Sequence, residues 1–88
     1  MKHAGGAALD RLEPLLSRIR LIPGLGEKSR GVFYRRAKAF LHFHEDPAGL
    51  HADLRGADGS FDRFRVEDAS EQAALLAEIT ARAASPAA

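Results

Sequence analysis

Histidine and aspartate at alternating positions are the residues of this sequence best suited to chemistry. His42-x-His44 and His51-x-Asp53 each place two ligand-type side chains two residues apart, so on an extended strand each pair shares one face. Two such strands lying side by side bring opposing side chains to within about 5 Å, a spacing that imidazole and carboxylate can use to hold a metal ion. Register decides whether they meet. A turn Asp46-Pro47-Ala48-Gly49 that pairs its first and last residues sets His44 against His51 and His42 against Asp53. A bulge at Gly49 moves the histidines opposite Ala52 and Leu54 instead. Half-buried histidines without an ion are the plainer reading, so His42, His44, His51 and Asp53 stand as metal candidates only, and no cofactor is expected.

A second set is basic. Arg18, Arg20, Lys28, Arg30, Arg35, Arg36 and Lys38 are interleaved with Phe33 and Tyr34, the mixture of charge and stacking surface with which proteins hold a nucleic-acid backbone. Residues 1–44 contain nine Lys and Arg against three Asp and Glu, whereas residues 45–88 contain four against nine. Two expectations follow: the halves attract and cancel on folding, or the first half presents a basic face to an anion.

Catalytic constellations are missing. There is no cysteine, so disulfides and thiolate metal sites are excluded. The sequence also has no Gly-x-Ser-x-Gly elbow, phosphate loop or dinucleotide fingerprint. Glu45-Asp46 read as turn residues rather than an acid and base pair. The chain is therefore expected not to be an enzyme.

These side chains need elements to position them. Leu9, Leu12, Leu15, Leu16, Ile19 and Ile22 recur at helical spacing, and Asp10 with Glu13 has the spacing of a capping box, which predicts a helix beginning at about Asp10 to Glu13 and ending before Pro23-Gly24. Residues 25–30 read as a loop. Residues 32–36 and 39–44 are rich in β-branched and aromatic side chains and predict a hairpin, although its turn near Ala37-Lys38 lacks Gly or Asn. Residues 50–55 alternate strictly and residues 61–66 alternate again, giving two more strands. Asp68 and Glu71 form a capping box ahead of a stripe through Leu75, Leu76, Ile79 and Ala83. The sum is one α+β domain over 1–88, a four-stranded, mostly antiparallel meander with an N-terminal and a C-terminal helix in the order αββββα. Residues 1–8 and 84–88 read as disordered tails. At 45% hydrophobic and 28% charged, without a signal peptide or a long apolar run, the chain reads as a cytoplasmic protein with no membrane partner.

The segment Ile22-Pro23-Gly24-Leu25-Gly26-Glu27, the strand pair through Lys38 to Asp46 and the strand Leu50 to Leu54 resemble a group of short uncharacterised bacterial proteins. More distantly they are similar to the N-terminal half of the MmcQ/YjbR-like family. The resemblance spans roughly residues 15–66. It implies an α+β fold with helices against an antiparallel sheet and a suggested DNA-binding role without a catalytic centre. Ile22 to Ser29 also resembles the loop of a helix-hairpin-helix, whose glycine-rich turn offers backbone N–H groups to a DNA phosphate. That motif requires a helix to follow directly, over about Ser29 to His44.

No motif in the sequence dictates a reaction or a ligand. The leading expectation is a non-enzymatic binding module for nucleic-acid phosphate, acting through the basic residues of 18–38. A structural protein working as a homodimer is the alternative, and a histidine metal site is a third.

Overall fold

Alternation of side chains sets the layout. In the computed structural model, which describes residues 2–86, the chain runs β1 (Lys2–His3), α1 (Gly6–Ile19), β2 (Gly26–Ser29), β3 (Val32–Arg35), β4 (Lys38–Asp46), β5 (Gly49–Arg55), β6 (Phe61–Arg65) and α2 (Ala69–Ala84). The strands form one antiparallel sheet in the order β2-β3-β4-β5-β6. β3 pairs with β4 only as far as His42, and β1 occupies the rest of that edge, setting Lys2 against Glu45 and His3 against His44.

The α+β class and the antiparallel arrangement agree with the sequence reading, but the four-stranded meander is corrected to six strands. β2 falls where a loop was expected. Gly-Glu-Lys-Ser has little strand propensity of its own, and tertiary bonds hold it: Glu27 accepts from Arg20 at 2.6 Å and from the Gly31 N–H at 2.9 Å. β1 and the first turn of α1 lie in residues 2–8, which composition assigned to a tail. The Ala4 N–H donates to the Phe43 carbonyl at 3.0 Å and ties this segment to the sheet. At the other end α2 runs through Ala84, and residues 87–88 of the expected tail lie outside the described residues. Residues 32–35 and 38–46 are strands joined by a tight turn, so no helix follows the glycine loop and the helix-hairpin-helix reading is overturned.

α1 begins about a turn earlier than its expected capping box. Its cap is Gly5, whose N–H donates to Glu45 Oε2 at 2.6 Å. Pro14 lies inside the helix on its solvent side, where the missing N–H costs least. Asp10 and Glu13 serve a different purpose. Arg30 reaches both carboxylates at 2.8 Å, and Arg20 joins Glu13 to Glu27. The second capping box is as expected: the Glu71 N–H donates to Asp68 at 2.7 Å and the Asp68 N–H to Glu71 at 3.3 Å.

One core lies between the helices and the sheet. Leu12, Leu16 and Ile19 of α1 and Leu75 and Ile79 of α2 are fully buried against Phe33, Leu41, Phe43 and Leu54 of the sheet. Each such side chain contributes about 1.5–3 kcal/mol of burial. Because Leu50, Ala52 and Leu54 point inward, His51, Asp53 and Arg55 between them point to the helix-free face. No helix among the described residues is long and apolar enough to cross a membrane.

The β3–β4 turn places Arg36 at φ 53° and Ala37 at φ 65°, both left-handed and neither glycine. Ala37→Gly removes that strain, and after the extra unfolded-state entropy of glycine it should stabilise the protein by about 0.5–1 kcal/mol. Urea unfolding reads this directly, and a lower midpoint for the variant would refute it. The hydrogen bonds and charges of Arg20 and then Arg30 hold the Glu13 carboxyl down from 4.5 to about 2. Because this pKa is depressed, the stabilisation is complete above pH 4.5 and declines as pH falls toward 2. Thermal melts across that window should fall less steeply for Glu13→Gln than for the parent, and parallel curves would exclude the effect.

Candidate functional site

The Asp46–Gly49 turn decides which side chains meet. Asp46 pairs with Gly49, and the Ala48 N–H donates to Asp46 Oδ1 at 2.8 Å. Gly49 has φ +128°, a conformation that side chains rarely adopt and that favours glycine, and a Cβ there would also displace the end of the Glu67 side chain. From this closure the register follows without a bulge: Glu45 opposes Leu50, His44 opposes His51, and His42 opposes Asp53. β6 continues the pattern, with His51 opposite Arg65 and Asp53 opposite Arg63. β1 adds His3 opposite His44. All four histidines of the sequence therefore lie on the helix-free face.

Asp53 is the anchor of this face. It is only 8% exposed, and its carboxylate receives two hydrogen bonds from Arg63, at 2.9 and 3.1 Å. Its Oδ2 lies 3.0 Å from His44 Nε2. Hydrogen bonding from Arg63 keeps the Asp53 carboxyl below its ordinary value despite burial, so it is ionised at neutral pH. The same His44 nitrogen is 2.7 Å from His42 Nδ1. His3 closes the group, its ring centroid 4.8 Å from that of His44 and 5.6 Å from that of His42. Burial, reinforced by the neighbouring His44, pushes the His42 imidazole below its ordinary value, which keeps its lone pair available at pH 7.

An aromatic and guanidinium edge flanks the histidines. Phe61 is 38% exposed, its ring 5.1 Å from that of His42, with the Arg55 guanidinium stacked over it at 4.7 Å. His51 stands apart, with Nδ1 4.0 Å from Asp46 Oδ2 and without a hydrogen-bond partner among the described residues. Comparison with known proteins finds no matching family model, no matching curated protein and no matching solved structure.

The metal candidates His42, His44 and Asp53 come together, while His51 shares the face but not the cluster. Sequence reasoning missed His3, because a Lys-His dipeptide is too short to announce a strand. It also missed Arg63, whose only signal was its place opposite Asp53 once the last hairpin is aligned. The basic set is scattered. Arg20 and Arg30 are spent on Glu13, Glu27 and Asp10. Arg35 is buried at 5% exposure, donates to the Ser85 carbonyl and lies over the Phe40 ring. Arg36 donates to the Pro86 carbonyl at 3.0 Å, and Lys28 sits over the Tyr34 ring. Arg18 and Lys38 are exposed, on α1 and at the start of β4.

Arg35 is thus a structural residue that ties β3 to the end of α2. Arg35→Ala should cost about 1.5–3 kcal/mol, the range for hydrogen bonds made by a charged group, whereas Lys38→Ala should stay within about 0.5 kcal/mol of the parent. Equal denaturation midpoints for the two variants would show that Arg35 does not hold the fold.

Proposed function

We propose that the protein is a non-enzymatic binding module whose working surface is the helix-free face of the sheet, centred on His3, His42, His44 and Asp53. One observation carries this reading: all four histidines, the buried Asp53 with its partner Arg63, and the exposed Phe61 share that single face. A sheet face with no ligand to serve is normally covered or covered in solvated charge, and polar groups buried without need cost stability. The absence of any catalytic motif in the sequence supports binding over catalysis.

A nucleic-acid surface over residues 18–38 loses support because Arg20, Arg30 and Arg35 are engaged within the protein. Arg18, Lys28, Arg36 and Lys38 are the cations that a nucleic-acid reading would now rest on, along with the resemblance to the MmcQ/YjbR-like family. That resemblance concerns fold more than function.

Amide chemical-shift mapping separates these readings. The labelled protein is titrated with single-stranded DNA, with single-stranded RNA and with Zn²⁺, and is examined over a dilution series. Perturbations should gather on His3, residues 42–44, 51–53 and 61–65 for at least one probe. Perturbations gathered on residues 18–38, or flat spectra for every probe and dilution, would overturn the proposal.

A further inference from the structure

His3, His42 and His44 each present a ring nitrogen, and the three nitrogens lie within 4.8 Å of one another. β1 supplies the first and β4 the other two. His44 Nε2 is the crowded atom, with His42 Nδ1 at 2.7 Å and Asp53 Oδ2 at 3.0 Å. An imidazole nitrogen carries one proton or one lone pair, never both. If Nε2 carries the proton, the His42 lone pair and the Asp53 carboxylate compete for a single hydrogen. If it carries the lone pair, it faces a carboxylate oxygen with nothing to bind the two. The other nitrogen of His44, Nδ1, is buried and has no hydrogen-bond partner among the described residues, so the ring gains nothing elsewhere to offset this crowding. Such convergence of lone pairs destabilises a purely structural cluster, whereas a cation can accept from all of them together.

We infer that His3, His42 and His44 form a site for one divalent late transition-metal ion, with the Asp53 carboxylate beside it as a compensating negative charge. This inference rests on the helix-free face being the working surface, and it names that surface's ligand. Neutral imidazoles select zinc-like ions over calcium or magnesium, which prefer oxygen. Around a tetrahedral ion at ordinary zinc–nitrogen lengths the ligand nitrogens sit about 3.3 Å apart, so the His42 and His44 nitrogens, 2.7 Å apart, must open slightly while His3 draws in. His42 and His44 already approach more closely than this. His3 has the larger shift to make, and it is exposed on a two-residue strand, where such a shift meets little resistance. Asp53 itself cannot swing away, because Arg63 grips both of its oxygens. A carboxylate fixed in this way keeps a negative charge 3.0 Å from the His44 donor nitrogen, where it offsets the charge of a bound cation. His51, turned toward Asp46, takes no part.

The test is calorimetric titration of the full chain with Zn²⁺ at neutral pH, paired with visible absorption on addition of Co²⁺. One Zn²⁺ per chain is expected, together with intense d–d bands from Co²⁺ in a low-coordinate site. His3→Ala and His42→Ala should each weaken Zn²⁺ by at least about tenfold, and Asp53→Asn, which removes the negative charge beside the ion, by roughly tenfold. His51→Ala should bind like the parent. His3 is exposed, so its variant reports on binding even if His42→Ala fails to fold, and an amide spectrum checks the fold of each. Absence of stoichiometric Zn²⁺ binding overturns the inference, as does binding that His3→Ala leaves unchanged. Should DNA or RNA perturb the open face while Zn²⁺ titrations stay flat, the metal inference falls and the working-face proposal stands. Should perturbations gather on residues 18–38, the proposal falls with it.

Discussion

The pairing of Asp46 with Gly49 is the constraint on which the rest of this protein depends. Side chains alternate along a strand with a period of two, so a one-residue slip at this turn would send His42, His44, His51 and Asp53 to the wrong neighbours or the wrong face. Gly49 makes the register affordable by adopting φ +128° beside Glu67, and Glu67 in turn accepts the Leu50 N–H and pairs with Arg11 of α1 at 3.1 Å. The turn is thereby tied to both the hairpin and the helix layer. Everything on the helix-free face inherits its place from that junction.

The division of charge along the chain resolves in an unexpected way. The three acidic residues of the first half, Asp10, Glu13 and Glu27, are all taken by Arg20 and Arg30 of the same half. Few pairs cross between the halves, Arg11 with Glu67 being one. The acidic second half is balanced partly within itself, by Arg63 with Asp53, Arg65 with Glu71, and Arg82 with Asp62 and Glu78. Apart from Arg63 with the buried Asp53, local ion pairs of this kind lie at the surface and are individually weak. The pairs of Arg20 and Arg30 remove two arginines from the basic stripe of residues 18–38, leaving isolated cations rather than a field.

Legibility varied with how local the determining contact is. α2 could be read because its capping box involves residues three apart and its apolar stripe has helical spacing. β5 could be read because its alternation is complete over six residues. α1 was displaced because Asp10 and Glu13 have capping spacing yet bind arginines instead, and the true cap borrows Glu45 from the sheet, forty residues away. β1 and β2 could not be read at all. Their residues have no strand preference, and they pair only because longer strands offer unfilled edges.

The sequence by itself determined the α+β class, the second helix, the central hairpin with its turn, and the two alternatives for which residues face His42 and His44. Each of these rests on contacts within a few residues, where spacing and propensity are enough. Only the tertiary structure decided between the two registers, brought His3 beside His42 and His44, and placed Arg63 on Asp53. The His3 and Arg63 contacts join residues ten to more than forty apart, the register turns on the conformation of a single glycine, and neither edge pairing nor a glycine conformation leaves a periodic trace in the chain.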